Sequence, residues 1–169
     1  MKFNYAWSMP NSQTFKVKPI NDFILKHELK GVILDPFANR KSDYGAITND
    51  INPQSQTDFH LDALDFLKSF ENESVDFLLF DPPYSLRQIK ECYEGLGIPL
   101  NQRETQTFYS DLKNEISRIM KVGGVVISFG WSSVGIGKNR GFVKNQILLV
   151  CHGGHHNDTI ALSETKVNK

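Results

Sequence analysis

The stretch FLLFDPPYS at 77–85 sets four apolar side chains against an acid, two prolines and a tyrosine. Two prolines lock the backbone and remove two N–H donors, so the carbonyls beside Asp81 are left as acceptors next to its carboxylate. Asp81 with Pro82 and Pro83 therefore makes a rigid acceptor group suited to the two hydrogens of an exocyclic amine. Tyr84 offers a flat face at the same mouth, on which a base taken out of its stack can lie. Three more acids stand in similar places: Asp35 in GVILDPF, Asp50 in GAITNDINP and Asp62 in DFHLDALDF. Carboxylates accept hydrogen bonds and cannot donate them, so acids gathered on one edge suit a ligand rich in hydroxyl and amino hydrogens. Any one of them has a simpler role in capping a helix or ending a strand; four in register point to a site. Asp50 follows Asp35 at about the distance where ribose hydroxyls are held in dinucleotide-type folds. Neither GxGxxG nor GxxxxGK[ST] occurs, so the ribose ligand expected is one without phosphates.

Periodicity predicts the elements that hold these residues. Residues 1–14 are polar and aperiodic and read as an arm. PINDFILKHELKG puts Ile20, Phe23 and Ile24 on one helical face, with Pro19 near the start and Gly31 after the end. GVILDPF and GAITNDINP are buried strands stopped by acid and proline, and a short third strand is expected around Phe59 and His60, followed by a helix beginning near Asp62. SVDFLLFDPPY is the fourth strand. A helix from about Ser85 to Gly95 comes next. TFYSDLKNEISRIMKVGG then carries Phe108, Leu112, Ile116, Ile119 and Met120 on one face and ends at Lys121 and Gly123. GGVVISFGW is the fifth strand, and FVKNQILLVCHGGHHNDTIALSE folds as a hairpin about its Gly and His turn. The alternation predicts an α/β chain: a mostly parallel central sheet with helices on both faces and a C-terminal antiparallel hairpin. In such sheets ligands bind beyond the carboxyl ends of the strands.

Length and composition narrow the classes. At 169 residues one domain is expected, spanning 1–169 with residues 1–14 as its N-terminal arm and no separate target-recognition domain. No apolar run approaches the roughly 18 residues of a membrane span, and the start lacks the pattern of a signal peptide, so a soluble, cytoplasmic protein is expected. Cys92 and Cys151 are far apart in sequence and read as reduced thiols. CHGGHH at 151–156 lacks a second ligand pair, so no metal is expected. Nineteen basic and nineteen acidic residues cancel, which excludes a strongly basic nucleic-acid coat. Cationic contacts must therefore be local, and Arg87, Lys90, Lys138 and Arg140 are the candidates to hold phosphates at the expected mouth.

DPPY at 81–84 after an apolar strand, preceded by LDPF at 34–37, resembles the S-adenosylmethionine-dependent amino methyltransferases. The resemblance is closest to the DNA adenine N6 family, and within it to small stand-alone members carried by phages and prophages. FKVKPINDFI is similar to the segment leading into that family's cofactor motif, LDPFA to the motif itself, TNDINP to its ribose-binding acid and FHLDALDFL to its adenine-contacting segment. EISRIMKVGGVVISFGW resembles the helix and strand after the catalytic loop. The resemblance implies a class I methyltransferase (Rossmann-like) fold, S-adenosylmethionine as cofactor, DNA as partner, and methyl transfer to adenine N6. It implies cofactor contacts at Lys18, Pro19, Asp35, Pro36, Phe37, Ala38, Asp50, Ile51, Asp62 and Ala63, with Asp35 at the methionine end, Asp50 on the ribose and Asp62 or its backbone at the adenine. Asp81 and the Pro82 carbonyl would orient the amine beside Pro83, with Tyr84 stacked on the base. Where the family motif carries closely spaced glycines this chain reads DPFANRKSDYG, so a polar turn through Asn39 must approach the methionine instead. With no recognition region, specificity is expected to be short and loose, or supplied by a second copy or another subunit. The alternatives are an amino methyltransferase acting on RNA, at guanine N2 or adenine N6, and a noncatalytic nucleic-acid-binding relic.

Overall fold

VDFLLF has no polar side chain after Asp76, as a strand covered on both faces requires. In a computed structural model of the chain, which describes residues 1–168, this segment is the inner strand β4 of a seven-stranded sheet. Lys169, the last residue of the expected domain, lies outside the described residues. The strands are β1 (Lys2–Trp7), β2 (Ile33–Asp35), β3 (Ile47–Thr48), β4 (Val75–Phe80), β5 (Met120–Gly130), β6 (Phe142–Cys151) and β7 (Thr159–Lys166), in the order β1-β6-β7-β5-β4-β2-β3. Only β7 runs against its neighbours, so six strands share one carboxyl edge.

Alternation along β4 divides the core. Phe77 and Leu79 face α1 (Lys18–Leu25), packing with Ile20, Phe23, Ile24, Ile127 and Phe129. Leu78 and Phe80 face α2 (Ala63–Lys68) and α4 (Gln102–Ile119), packing with Phe66, Leu67, Leu112, Ile116 and Val126. Helices thus cover both faces, and α3 (Leu86–Gly95) stands over the carboxyl edge beside α4. Phe66 is fully buried, and truncating it to Ala costs about 3–5 kcal/mol. Among the described residues no helix is long and apolar enough to cross a membrane.

Three expectations need correction. Residues 1–14 are not an arm throughout: Lys2–Trp7 is an edge strand paired in parallel with β6, from Lys2 beside Gln146 to Trp7 beside Cys151. Its aromatics alternate but all remain exposed, so the strand is held by backbone bonds that a burial pattern does not reveal. Around Phe59 and His60 there is no strand but a single bridge. Phe59 exchanges bonds with Thr48 O (3.0 Å) and Asp50 N (3.2 Å), and pairing stops there because the Leu61 N–H goes to the Asn49 side chain (2.9 Å). The long helix ends at Ile119 rather than at Lys121 and Gly123: Met120 is already extended and pairs with Val75, so sheet pairing overrides the helical period. It also begins earlier than its apolar stripe, because Asn101 and Glu104 close a capping box.

Candidate active site

Because β2 and β4 are neighbours in parallel register, their carboxyl ends place Asp35 and Asp81 side by side. Asp35 is buried, and its pKa is pushed up to about 8. Burial is the main cause and the Asp81 charge adds to it; the Phe37 N–H (3.3 Å) opposes them, and Asp50 raises it further. Asp81 is reached only through the cavities whose floor it forms, and this enclosure holds its pKa above the usual carboxylate range against the stabilising hydroxyls of Tyr84 and Thr14. At neutral pH two crowded acids of this kind favour a state that keeps a proton. A cationic ligand placed between them favours the doubly ionised state.

The turn itself is over-determined. Tyr84 donates its hydroxyl to Asp81 Oδ1 (2.7 Å) and its backbone N–H to Gln88 Oε1 (2.6 Å). Burial and the adjacent Asp81 charge raise the Tyr84 phenol well above its ordinary range, so it remains a donor. Tyr109 on α4 gives its hydroxyl to the Pro83 carbonyl (2.5 Å). The Pro82 carbonyl accepts no hydrogen bond among the described residues, so it and the second Asp81 oxygen are the acceptors left for a ligand.

A cavity of about 760 Å³ opens from this floor. Asp81, Pro82, Pro83 and Tyr84 form one wall, Asp50, Ile51 and Ala63 another, and Pro36 and Phe37 lie between them. A smaller recess of about 170 Å³ continues past Asp35, Phe37 and Ala38 towards Arg40 and Tyr44. Asn39 joins the two with a φ of 48°, a left-handed conformation that the polar Asn tolerates. The turn therefore reaches both recesses without a glycine.

Other predicted residues serve the scaffold. Asp62 caps α2 through Leu64 N (2.9 Å) and also accepts the Tyr93 hydroxyl, so its neighbour Ala63 faces the cavity while its carboxylate is engaged. Asp50 accepts the Asn52 N–H (2.7 Å) and keeps a place on the cavity wall. Lys18 is exposed and paired with Asp22, and Pro19 opens α1; neither is among the residues that line these two recesses. Arg87 and Lys90 lie exposed on α3, Arg87 bonded to Glu91 (2.6 Å). Arg140 is turned onto α4, bonding Asn114 (2.8 Å) and Ser110 (3.2 Å), with Lys138 beside it in the same short turn. His152 is buried, its ring nitrogens meeting Ser8 O (2.7 Å) and Thr159 Oγ1 (2.9 Å).

Sequence reading missed two contributors. Thr14 belongs to the supposed arm yet lines both recesses beside Asp81, and no local pattern marks it. On α3, Gln88, Glu91, Cys92 and Gly95 line the larger cavity at positions i, i+3, i+4 and i+7. That spacing was visible in the sequence as one helical face.

The sequence matches no family model and no curated protein. Among solved structures, TrmN from Thermus thermophilus is similar with a TM-score of 0.59 and 18% identity, over 89% of this chain and 49% of TrmN. This chain thus spans about half the length of TrmN. A provisionally named methylase from Haemophilus influenzae shares 12% identity over 88% of this chain and 95% of its own, with a TM-score of 0.49. A provisionally named DNA modification methylase, also from Thermus thermophilus, shares 15% identity over 63% of this chain and 52% of its own, with a TM-score of 0.43. The likeness to TrmN is one of fold, the class I methyltransferase fold.

Proposed function

We propose that this chain is an S-adenosylmethionine-dependent methyltransferase acting on the exocyclic amine of a nucleobase, with adenine N6 in DNA as the acceptor. The observation that carries this reading is the acceptor pair formed by the second Asp81 oxygen and the unbonded Pro82 carbonyl, at the floor of a cavity whose other walls are acidic and apolar. The residues fit the cofactor: Asp50 stands where ribose hydroxyls are accepted, Ile51, Ala63 and Phe108 give an apolar slot for an adenine, and Asp35 with Asn39 meets the amino-acid end. When bound, S-adenosylmethionine supplies a methyl carbon activated by a sulfonium. A charge of that sign suits a floor of two crowded carboxyl groups.

Asp81 and the Pro82 carbonyl each accept one amine hydrogen, which turns the nitrogen lone pair towards the donor side of the cavity. With the cofactor bound, that lone pair would be aimed at its methyl carbon, and the new carbon–nitrogen bond would form as the carbon–sulfur bond broke, the sulfur keeping the bonding pair as a neutral thioether. The nitrogen then sheds one proton, for which Asp81, with its raised pKa, is the nearest acceptor. Most of the acceleration comes from positioning and from charge placed in advance. Arg87 and Lys90, exposed on α3, are the phosphate contacts of this reading, and specificity is short and loose or supplied by a second copy or another subunit.

The test is a product analysis. The chain is incubated with labelled S-adenosylmethionine and either DNA or RNA, and the digested nucleosides are separated. Label in N6-methyl-2′-deoxyadenosine from DNA supports the reading, whereas label confined to RNA or to guanine overturns it in favour of an RNA amine or a guanine amine as acceptor. No label, together with no calorimetric binding of the cofactor, leaves a nucleic-acid-binding relic.

A further inference from the structure

Behind the proline turn lies a separate cavity of about 290 Å³, between the rim of β5 and helix α4. Pro82, Pro83 and Tyr84 form its wall towards the cofactor side, and Tyr109, Trp131 and Phe80 complete an aromatic lining. The Tyr84 and Trp131 rings meet edge to face, with centroids 5.6 Å apart. Trp131 is nonetheless 44% exposed at the opening.

Two polar side chains of this cavity, Ser128 and Lys113, have no protein partner among the described residues. Ser128 reaches it from β5, and its hydroxyl is the one buried side-chain polar atom without a hydrogen bond among the described residues. Lys113 reaches it from α4, half-buried and in no ion pair or hydrogen bond. Neighbouring charges do not serve it. Glu164 spends its carboxylate on the N–H groups of Ile136 (2.6 Å) and Gly137 (3.2 Å), and Arg140 is held by Asn114 and Ser110. Burial and the Arg140 charge accordingly lower the Lys113 pKa, only partly offset by Glu164. Unpaired buried donors are costly, and a protein keeps them where a ligand supplies the missing acceptor.

We propose that Lys113 and Ser128 select the acceptor base: they donate to ring nitrogen or carbonyl acceptors of a purine held in this cavity against Tyr84 and Trp131. The proposal rests on the nucleobase reading above and deepens it by naming the residues that set preference. Three ammonium donors and a hydroxyl match a ring that presents acceptors on either side of its exocyclic amine, as adenine does at N1 and N7. Pyrimidines offer less surface to the aromatic lining. The ring lies with its amine edge at Pro82, which lines both cavities, so that the amine meets Asp81 past that edge.

The test uses the full chain with Trp7→Phe, which leaves Trp131 as the only fluorophore of its type. Adenosine, guanosine, cytidine and uridine are titrated separately, in the presence of demethylated cofactor. Saturable quenching by a purine nucleoside, weakened about tenfold or more by Lys113→Met and several-fold by Ser128→Ala, supports the assignment. Lys113→Arg should retain most of the affinity, which distinguishes a lost donor from a disturbed fold. Calorimetric binding of demethylated cofactor should be the same in all variants. Equal quenching by pyrimidines, or purine affinity unmoved in both Lys113→Met and Ser128→Ala, overturns it. These outcomes are independent of the proposed function, which fails instead if the parent chain binds no cofactor. A preference for guanosine over adenosine would support the pocket while moving the acceptor of the reaction to guanine.

Discussion

The two sides of the proline turn have opposite chemistry. Towards β2 and β3 the walls are acceptors: Asp35, Asp50 and Asp81, with the free Pro82 carbonyl. Towards β5 and α4 they are donors and rings: Lys113, Ser128, Tyr109 and Trp131. A cation rich in hydroxyl and amino hydrogens fits the first side, and a flat ring rich in acceptors fits the second. On the proposed reading one rigid turn separates two ligands of complementary polarity, and Pro82, Pro83 and Tyr84 are the boundary that the two cavities share. The turn thus works as a partition whose stiffness matters on both faces.

The largest effect is expected beside that boundary. Asp81→Ala removes one of two amine acceptors and should lower kcat by about 10³-fold, a loss typical of removing one oriented charge contact. Single-turnover rates would show it, with cofactor affinity staying within a few-fold of the parent. A comparable loss of cofactor affinity would mean that Asp81 belongs wholly to the acidic side, and the partition would be wrong.

Next comes the acidic side. With a pKa of about 8, Asp35 holds its proton at neutral pH, and a cationic ligand binds better once that proton has left. Affinity for S-adenosylmethionine should rise as pH climbs towards about 8 and then level off, and Asp35→Asn should flatten the curve. The same raised pKa fixes the sign for stability. The folded state holds a proton that the unfolded chain gives up in the ordinary carboxylate range, so stability falls as pH rises through that range to about 8. Asp35→Asn should thus melt above the parent in mildly alkaline buffer and lose that advantage in acid. A parent melting curve that improves over this interval would contradict the assignment.

A smaller effect is expected from Tyr84→Phe. The ring survives, so stacking and the edge contact with Trp131 survive, but the hydroxyl bond to Asp81 is lost. A hydrogen bond to a charged group is worth about 1.5–3 kcal/mol, and part of it is recovered when substrate takes the vacated acceptor, so kcat should fall roughly tenfold. Tyr84→Ala should cost more, because it opens both cavities at once. Equal rates for the two variants would remove the ring from the argument.

The same divide governs how much could be read from sequence. The acidic side was legible because strand, acid and proline are contiguous: Asp35 ends β2, Asp81 follows β4, and Asp50 lies just past β3. The hairpin of β6 and β7 and the helix capped by Ser85 followed equally from local pattern. The donor side was not legible. Lys113 lies within an amphipathic helix whose apolar stripe explains α4 without it, and Ser128 looks like any small residue in a buried strand. Their meeting depends on the β4–β5 register and on the packing of α4, which have no local signature. Thr14 and β1 were missed for the same reason, since their partners are distant in sequence.

The smallest effect separates two arginines that the sequence placed together. Arg87 stands exposed on α3, whose inner face lines the larger cavity, and its partner Glu91 is also exposed, so their pair contributes little to folding. Its charge remains free to meet a phosphate. Arg87→Ala should leave the melting temperature unchanged and lower the slope of log affinity against log salt by about one for any nucleic acid bound, irrespective of sequence. Arg140 points the other way: its guanidinium ties the segment after β5 to Ser110 and Asn114, so Arg140→Ala should lower the melting temperature and leave the salt slope unchanged. If Arg140→Ala lowers the slope and Arg87→Ala does not, the strand of nucleic acid runs over the donor side, and the phosphate contacts must be moved from α3 to the turn before β6.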